Sequence, residues 1–577
     1  MNLRIPLPVV SFTLVGVLVS GCAPVGVFDN DTDRWEPAPD RVDRIEPVDL
    51  VERSRTTPEA PDVAVDRMLD REIPIEAPET TTPLDLAEVR RAVLENNLDL
   101  RTELVTPEIA QANLSAEEAK FQSTFFAGYT RNDQGVLTSL EQGEPTNSDQ
   151  LLAGFRVPLA TGGDLTLDTL STRSDLGVSV PGQEPWESSV RFSIAQPLLR
   201  GAGLNANTAS IRIAGYNRDI ADARLKLAAI RILADADKAY WNLYAAWREL
   251  EVRRTQYELA MAQLGLAERR FNAGDAPEIE VVRARSGVGR TLESIIRADA
   301  GLRRQQRAVK RIMNREDLPI DGHTALDPAT EPAPLRLDLD GDALADAAIE
   351  NRMEMLDLEL QLAIDALTVD LRRNQALPVF GLDYRYSLVG DDTGFGGSYG
   401  ALGDSDSHRI GVNGEIPIGN EILENRLSAA ILQRVQRLAT RDARALAIRT
   451  EVYDALDRLR QAWQSILAAR LETLLAARTA AGEQRQFESG LRTSTEVLDA
   501  QSRLADAQSR EVRALADYQI ALVDIAFATG TVLGRTQVDF VQGDGRIEAI
   551  PGGMADGPPR DEGGNPPQPE VDTPSSP

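Results

Sequence analysis

Apolar residues recur at alternating spacings of three and four along two long stretches of the chain. The first runs Leu233, Ala236, Tyr240, Leu243, Trp247 and Leu250, then Tyr257, Met261, Leu264 and Phe271. The second runs Val452, Leu456, Leu459, Trp463 and Ile466, then thins to Thr473, Ala477 and Ala480 before Phe487. That rhythm is a heptad seam and predicts long helices packed lengthwise on partners. Return stripes follow each, through Val281, Val288, Leu292, Ile296, Leu302 and Val309, and through Val497, Leu504, Val512, Tyr518, Leu522 and Ile525. Proline breaks helix interiors. Between Pro197 and Pro319 the only proline is Pro277, and between Pro417 and Pro551 there is none. A helix from 205 to 273 spans roughly 100 Å at 1.5 Å per residue, far beyond a globular core.

The two stretches are copies of one unit. At an offset of 216 positions, Trp247 falls on Trp463, Arg254 on Arg470, Phe271 on Phe487, Gly274 on Gly490 and Val281 on Val497. Upstream, residues 84–120 and 340–376 each read as helix, the first with Leu86, Val89, Val93 and Leu100 on one face. They match at an offset of 255, so the first copy carries an insertion between its opening helix and its long helices.

That interval alternates with period two. In the second copy Phe380, Leu382, Tyr384, Tyr386 and Leu388 alternate with Gly381, Asp383, Arg385 and Ser387. Ile410, Val412, Ile416 and Ile418 then alternate with polar residues, after a Gly-rich loop at 390–407. The first copy holds up to four such segments, near 124–131, 151–159, 163–171 and 188–198. Strands with one aromatic, apolar face and one charged face suit a membrane barrel with lipid outside and water inside. Two or six strands cannot close a barrel alone, and an open edge cannot face lipid, so the barrel must be shared between subunits. Three subunits of six strands give eighteen; if the 159–171 hairpin projects outward, four each give twelve.

Composition adds limits. The net charge of −28 argues against a nucleic-acid partner. The tails hold nineteen of the 32 prolines and read as disordered. After Arg4, an apolar run to Val19 precedes Ser20-Gly21-Cys22, too short to span a membrane and suited to an export signal. Cys22 is the only cysteine, so no second one offers it a disulfide; Val19-Ser20-Gly21-Cys22 resembles a bacterial lipobox, which implies a lipidated Cys22, the alternative being an ordinary signal peptide with a chance cysteine. His323 and His408, both placed in loops, lack metal-ligand spacing, and no phosphate-binding loop occurs. No cofactor, metal or catalytic residue is assigned. The expected divisions are a signal peptide at 1–21, a lipid-anchored linker at 22–83, repeats at 84–335 and 336–540, and an acidic tail at 541–577.

The turns between long helices carry the most specific sequence. They read Phe271-Asn272-Ala273-Gly274, leading to Glu280-Val281, and Phe487-Glu488-Ser489-Gly490-Leu491-Arg492, leading to Thr495-Glu496-Val497-Leu498-Asp499-Ala500. Glycine suits a helix C-cap and Thr495 before carboxylates suits a helix start. With the duplicated halves and the β-segments between helices, residues 84–535 resemble the TolC family, the outer-membrane channels of tripartite efflux pumps and type I secretion systems. The Cys22 pattern resembles its lipoprotein branch.

The resemblance implies an α+β fold. In it, duplicated long antiparallel helices form a trimeric α-helical barrel that descends into the periplasm below a shared transmembrane β-barrel. It implies a homotrimer in outer-membrane lipid, working with a periplasmic adaptor and an inner-membrane transporter. Glu496 and Asp499 match the acidic rings of the gate, where symmetry-related carboxylates repel, raise some carboxyl pKa values and attract cations. Glu280 with Arg492 matches a lock on the closed mouth. Gly274, Gly490 and Leu491 match adaptor contacts, although Asp275 and Pro277 depart from the family at the first tip. The rival readings are a non-conducting coiled-coil lipoprotein spanning the periplasm, and an envelope enzyme.

Overall fold

The computed structural model describes Ser54 and residues 80–134, 146–175, 186–536, 538–540 and 547–549. All but Ser54 belong to one unit that begins at Ala77. The signal segment, Cys22, most of the 22–83 linker and most of the acidic tail lie outside the described residues.

Among the described residues, each repeat supplies four helices of eleven residues or more. The first has α1 (Leu86–Asn96), α2 (Leu98–Glu118), α3 (Ala209–Asn272) and α4 (Glu278–Met313). The second has α5 (Gly341–Asn351), α6 (Met353–Gln375), α7 (Glu421–Glu488) and α8 (Ser494–Ala528). Helices α3 and α7 have 64 and 68 residues, each about 100 Å long at 1.5 Å per residue. Among the described residues, no helix is long and apolar enough to cross a membrane.

The helices expected at 84–120 and 340–376 are each broken once, at Asn97 and Arg352, where the backbone is extended. The two breaks stand at the same offset of 255 as their surrounding sequence. Asn97 caps α2 by accepting from the Leu100 N–H at 2.9 Å, and its amide donates to the Ile312 carbonyl at 2.9 Å. A side chain that serves both neighbours outcompetes one more helical turn. Arg352 is buried between Glu354 and Glu451, paired with both.

Upper α3 buries its expected stripe: Leu233, Ala236, Tyr240 and Leu243 are fully buried. The Tyr240 hydroxyl donates to the Leu84 carbonyl at 3.2 Å and accepts from the Thr330 N–H at 2.8 Å. It thus fastens strand β1 (Thr80–Leu84) to the middle of α3. Lower down the expected stripe fails. Met261 and Phe271 are exposed, and Gln256, Ala260, Gln263 and Ala267 are buried instead. On α4, Ile296 is exposed and its neighbour Ile295 is buried. The buried positions keep the four-three spacing but stand one residue earlier, so the seam shifts its register on the helix, by more than the roughly 20° per heptad that a straight helix drifts.

The remaining strands of five or more residues are β2 (Thr124–Gln134), β3 (Thr146–Pro158), β4 (Asp164–Asp175), β5 (Trp186–Pro197), β6 (Thr324–Pro328), β7 (Val379–Asp392) and β8 (Ser405–Glu415). β1 and β6 pair in parallel. The other six form one sheet in the order β2-β3-β4-β5-β7-β8, antiparallel throughout. β3 and β4 pair without interruption from Asn147↔Asp175 to Pro158↔Asp164. The 159–171 hairpin therefore extends the sheet and does not project from it. β2 and β8 are its edges. His408, expected in a loop, lies on β8.

Candidate functional site

The two turns at the far ends of α3 and α7 adopt the same backbone. Gly274 and Gly490 have φ of +77° and +76°. The Gly274 N–H donates to the Phe271 carbonyl at 2.9 Å and the Asp275 N–H to the Arg270 carbonyl at 2.9 Å. Gly490 to Phe487 and Leu491 to Gln486 repeat this pair at 2.9 Å each. This is the Schellman closure, and it needs a left-handed residue after the helix, which glycine adopts without strain. A β-carbon would meet nothing within 4 Å at either glycine, so the demand is conformational.

The return helices start differently from the sequence reading. Thr493, not Thr495, is the N-cap of α8. Glu496 reaches back to the Thr493 N–H at 2.8 Å and pairs with Arg492 at 2.6 Å. The Thr493 N–H and the Arg492 guanidinium hold its carboxyl below the ordinary glutamate range. Arg492 also lies 3.2 Å from Glu483 and donates to Gln486 at 2.9 Å. Asp499 is exposed. Among the described residues it has no hydrogen bond or ion pair.

Glu280 crosses from one turn to the other. One carboxylate oxygen accepts from the Ser494 hydroxyl and from the Ser494 N–H at 3.2 Å, and the other pairs with Arg283 at 2.7 Å. Burial pushes this carboxyl up, but the Ser494 donors and Arg283 outweigh it, and the net direction is down. Glu280 and Arg492 are thus not joined within the chain. Both hold the start of α8, Glu280 through Ser494 and Arg492 through Glu496. The sequence reading missed Arg270, whose guanidinium sits 4.5 Å from the Phe487 ring centroid and donates to the Phe487 and Glu488 carbonyls at 3.3 Å. The signal was a departure from the repeat, since Arg270 stands opposite Gln486 at the 216 offset. Leu491 projects from the second turn, 77% exposed.

At the other end of the molecule the sheet sorts its residues by face. Cross-strand partners stay on one face, as do alternate residues of each strand. One face carries Phe125, Phe155, Leu167, Phe192, Tyr384 and Ile410. The opposite face carries Arg156, Asp168, Arg191, Asp383, Arg385 and Arg409. On it Arg191 donates to Asp168 at 2.8 Å. Among the described residues no group of three or more His, Cys, Asp or Glu could hold a metal ion.

Comparison with known proteins agrees with this arrangement. The chain is 25% identical over 318 residues to outer membrane protein TolC of Vibrio cholerae, covering 53% of this chain and 69% of that protein. Its fold matches the Campylobacter jejuni CmeC outer membrane channel with a TM-score of 0.59 and 15% identity, covering 77% of this chain and 85% of that one. It also matches the open state of the Neisseria gonorrhoeae MtrE outer membrane channel, with a TM-score of 0.56 and 16% identity over 78% of this chain and 89% of that one. The family described as outer membrane efflux protein matches residues 164–315 and 344–531, more than half of the chain. The chain belongs to that outer membrane efflux protein family, whose members are efflux channels of the outer membrane.

Proposed function

We propose that three copies of this chain join their six-stranded sheets into one eighteen-stranded barrel in the outer membrane, with the long helices forming a tube below it. The observation that carries this reading is the sheet. It has an apolar face for lipid, a charged face for water, and two unpaired edges, β2 and β8. An edge of unpaired N–H and C=O groups cannot be left in hydrocarbon, and pairing β8 with β2 of the next copy removes it. An eighteen-stranded barrel is wide enough to enclose an aqueous channel. Cys22 would carry the lipid anchor.

In this role the chain is the outer conduit of a tripartite efflux or type I secretion system. It receives cargo from an inner-membrane transporter through a periplasmic adaptor that contacts Gly274, Gly490 and Leu491. Glu496 and Asp499 ring the periplasmic mouth. Asp499 is the freer of the two, because Glu496 is held by the start of its own helix. The lock acts on the α8 start through the Glu280–Ser494 and Arg492–Glu496 contacts. A non-conducting spacer needs no charged sheet face, which disfavours that reading.

Single-channel recording of the purified protein in a planar bilayer tests the proposal. A cation-preferring conductance whose preference falls in Glu496→Ala/Asp499→Ala supports the channel and the gate. An unchanged preference rejects the acidic ring. No conductance from folded trimers, even after Arg492→Ala, supports the spacer.

A further inference from the structure

The charged face of the sheet is not electrically uniform. Of its four arginines, Arg191 is neutralised by Asp168. Arg156 lies over the Phe126 ring, 5.9 Å from its centroid. The other two, Arg385 on β7 and Arg409 on β8, are direct cross-strand partners. Both are exposed. Among the described residues, neither has a carboxylate within ion-pair distance. Like charges directly opposite each other on paired strands destabilise a sheet, so this placement is a cost that folding alone does not explain.

The nearby carboxylates do not cancel the pair. Asp383 is two residues from Arg385 on the same face, and its carboxylate lies over Gly411, where a β-carbon would stand 2.3 Å from its oxygen. Two guanidiniums against one displaced carboxylate leave one positive charge per chain. On the same face Glu415 lies six residues along β8 from Arg409, and Asp391, opposite Glu187, six residues along β7 from Arg385, so these carboxylates stand roughly 20 Å from the pair. If β2 of a neighbouring copy closes onto β8, its matching face brings Phe126, Gly128 and Thr130, none of them charged. The pair sits at mid-height, roughly 20 Å along β7 from its first residue at 3.3 Å per residue.

We infer that Arg385 and Arg409 form an oxyanion-binding girdle in the lumen, three pairs around one axis, that selects phosphate- and carboxylate-bearing solutes on their way out. The inference rests on the barrel reading above. Guanidiniums bind such groups through paired charged hydrogen bonds. Rings of charged side chains set the ion preference of a water-filled pore. The conduit then has two zones of opposite sign, an acidic mouth at the turns and a basic girdle in the sheet.

The test is a planar-bilayer titration with inorganic phosphate on the side opposite the helices, beside reversal potentials in a potassium chloride gradient. Wild type is compared with Arg385→Gln/Arg409→Gln, and with Arg409→Gln alone in case the double variant does not assemble. Phosphate should reduce the wild-type current, and the substitutions should weaken that effect about tenfold or more and move the reversal potential toward potassium. Glu496→Gln/Asp499→Asn should leave the phosphate response intact. A conducting variant with wild-type phosphate response and reversal potential overturns the girdle and leaves the channel standing. If no form conducts, the channel reading fails, and phosphorus-31 line broadening on the purified trimer decides the site alone. Equal broadening by wild type and variant overturns it, and loss of broadening in the variant keeps it.

Discussion

Helices α3 and α7 descend from one sequence unit, yet α3 is far better covered. It buries 21 residues along its length, and α7, four residues longer, buries nine. α3 packs on α1, α2, α4, α6 and α8, whereas α7 packs chiefly on α5, α6 and α8. α7 leaves a second stripe in the open, with Leu467, Leu471 and Leu474 each more than half exposed at spacings of four and three. That spacing is itself a heptad seam, and it stays exposed among the described residues. The duplication therefore produced one helix for the interior of the protomer and one for its border, which is where a second copy is expected to pack.

The largest effect should come from placing charge on that border. Leu467→Glu/Leu471→Glu/Leu474→Glu should convert the proposed trimer to folded monomer, seen as a loss of mass by light scattering with unchanged helical circular dichroism. A surviving trimer removes the border. Next, truncation inside the protomer should separate the helices by stability. Leu233→Ala on α3 and Leu456→Ala on α7, both buried, should each cost about 2–5 kcal/mol in urea unfolding. Leu474→Ala should cost within about 0.5 kcal/mol in the dissociated monomer.

The two turns offer a finer comparison, because their backbones match and their side chains do not. Gly274→Ala and Gly490→Ala should each cost about 1–2 kcal/mol for a left-handed residue, equally at both ends. Unequal costs would show that the turns are not equivalent. The smallest effect concerns Glu280. Its carboxyl lies below its ordinary value of 4.5, so its ionised form stabilises the fold. That contribution is complete above the unfolded value and is lost as pH falls through the folded one. Glu280→Gln should lower stability by about 1 kcal/mol at neutral pH. The gap from wild type should narrow as the pH falls below 4.5, measured by thermal unfolding. A gap independent of pH contradicts the assignment.

The parts of this molecule written in local pattern were legible in the sequence. Strand alternation gave β7 and β8, and the absence of proline with a terminal glycine gave α3 and α7 nearly to their ends. The single-residue breaks at Asn97 and Arg352 were hidden, because one extended residue barely disturbs an amphipathic stripe. The lower seam was hidden because Gln256 and Gln263 are polar, and Ala260 and Ala267 are small beside the bulkier Tyr257, Met261 and Leu264 next to them. Contacts between the turns were out of reach. Glu280 meets Ser494 across 214 positions, and nothing local in either segment marks the other as its partner. The family resemblance paired Glu280 with Arg492, whereas Glu280 turns to Ser494 and Arg492 to Glu496, each a nearer partner on α8.

The central claim is that the sheet closes into a barrel with its charged face toward water. Neighbouring residues Arg409 and Ile410 on β8 point to opposite faces, so they test it most directly. Arg409→Cys and Ile410→Cys would each be reconstituted into liposomes, with the unsubstituted protein as baseline. A water-soluble thiol reagent should label the first and spare the second. A fluorophore at the second should be quenched by brominated acyl chains. Equal labelling at both positions, or quenching at position 409, would contradict the account.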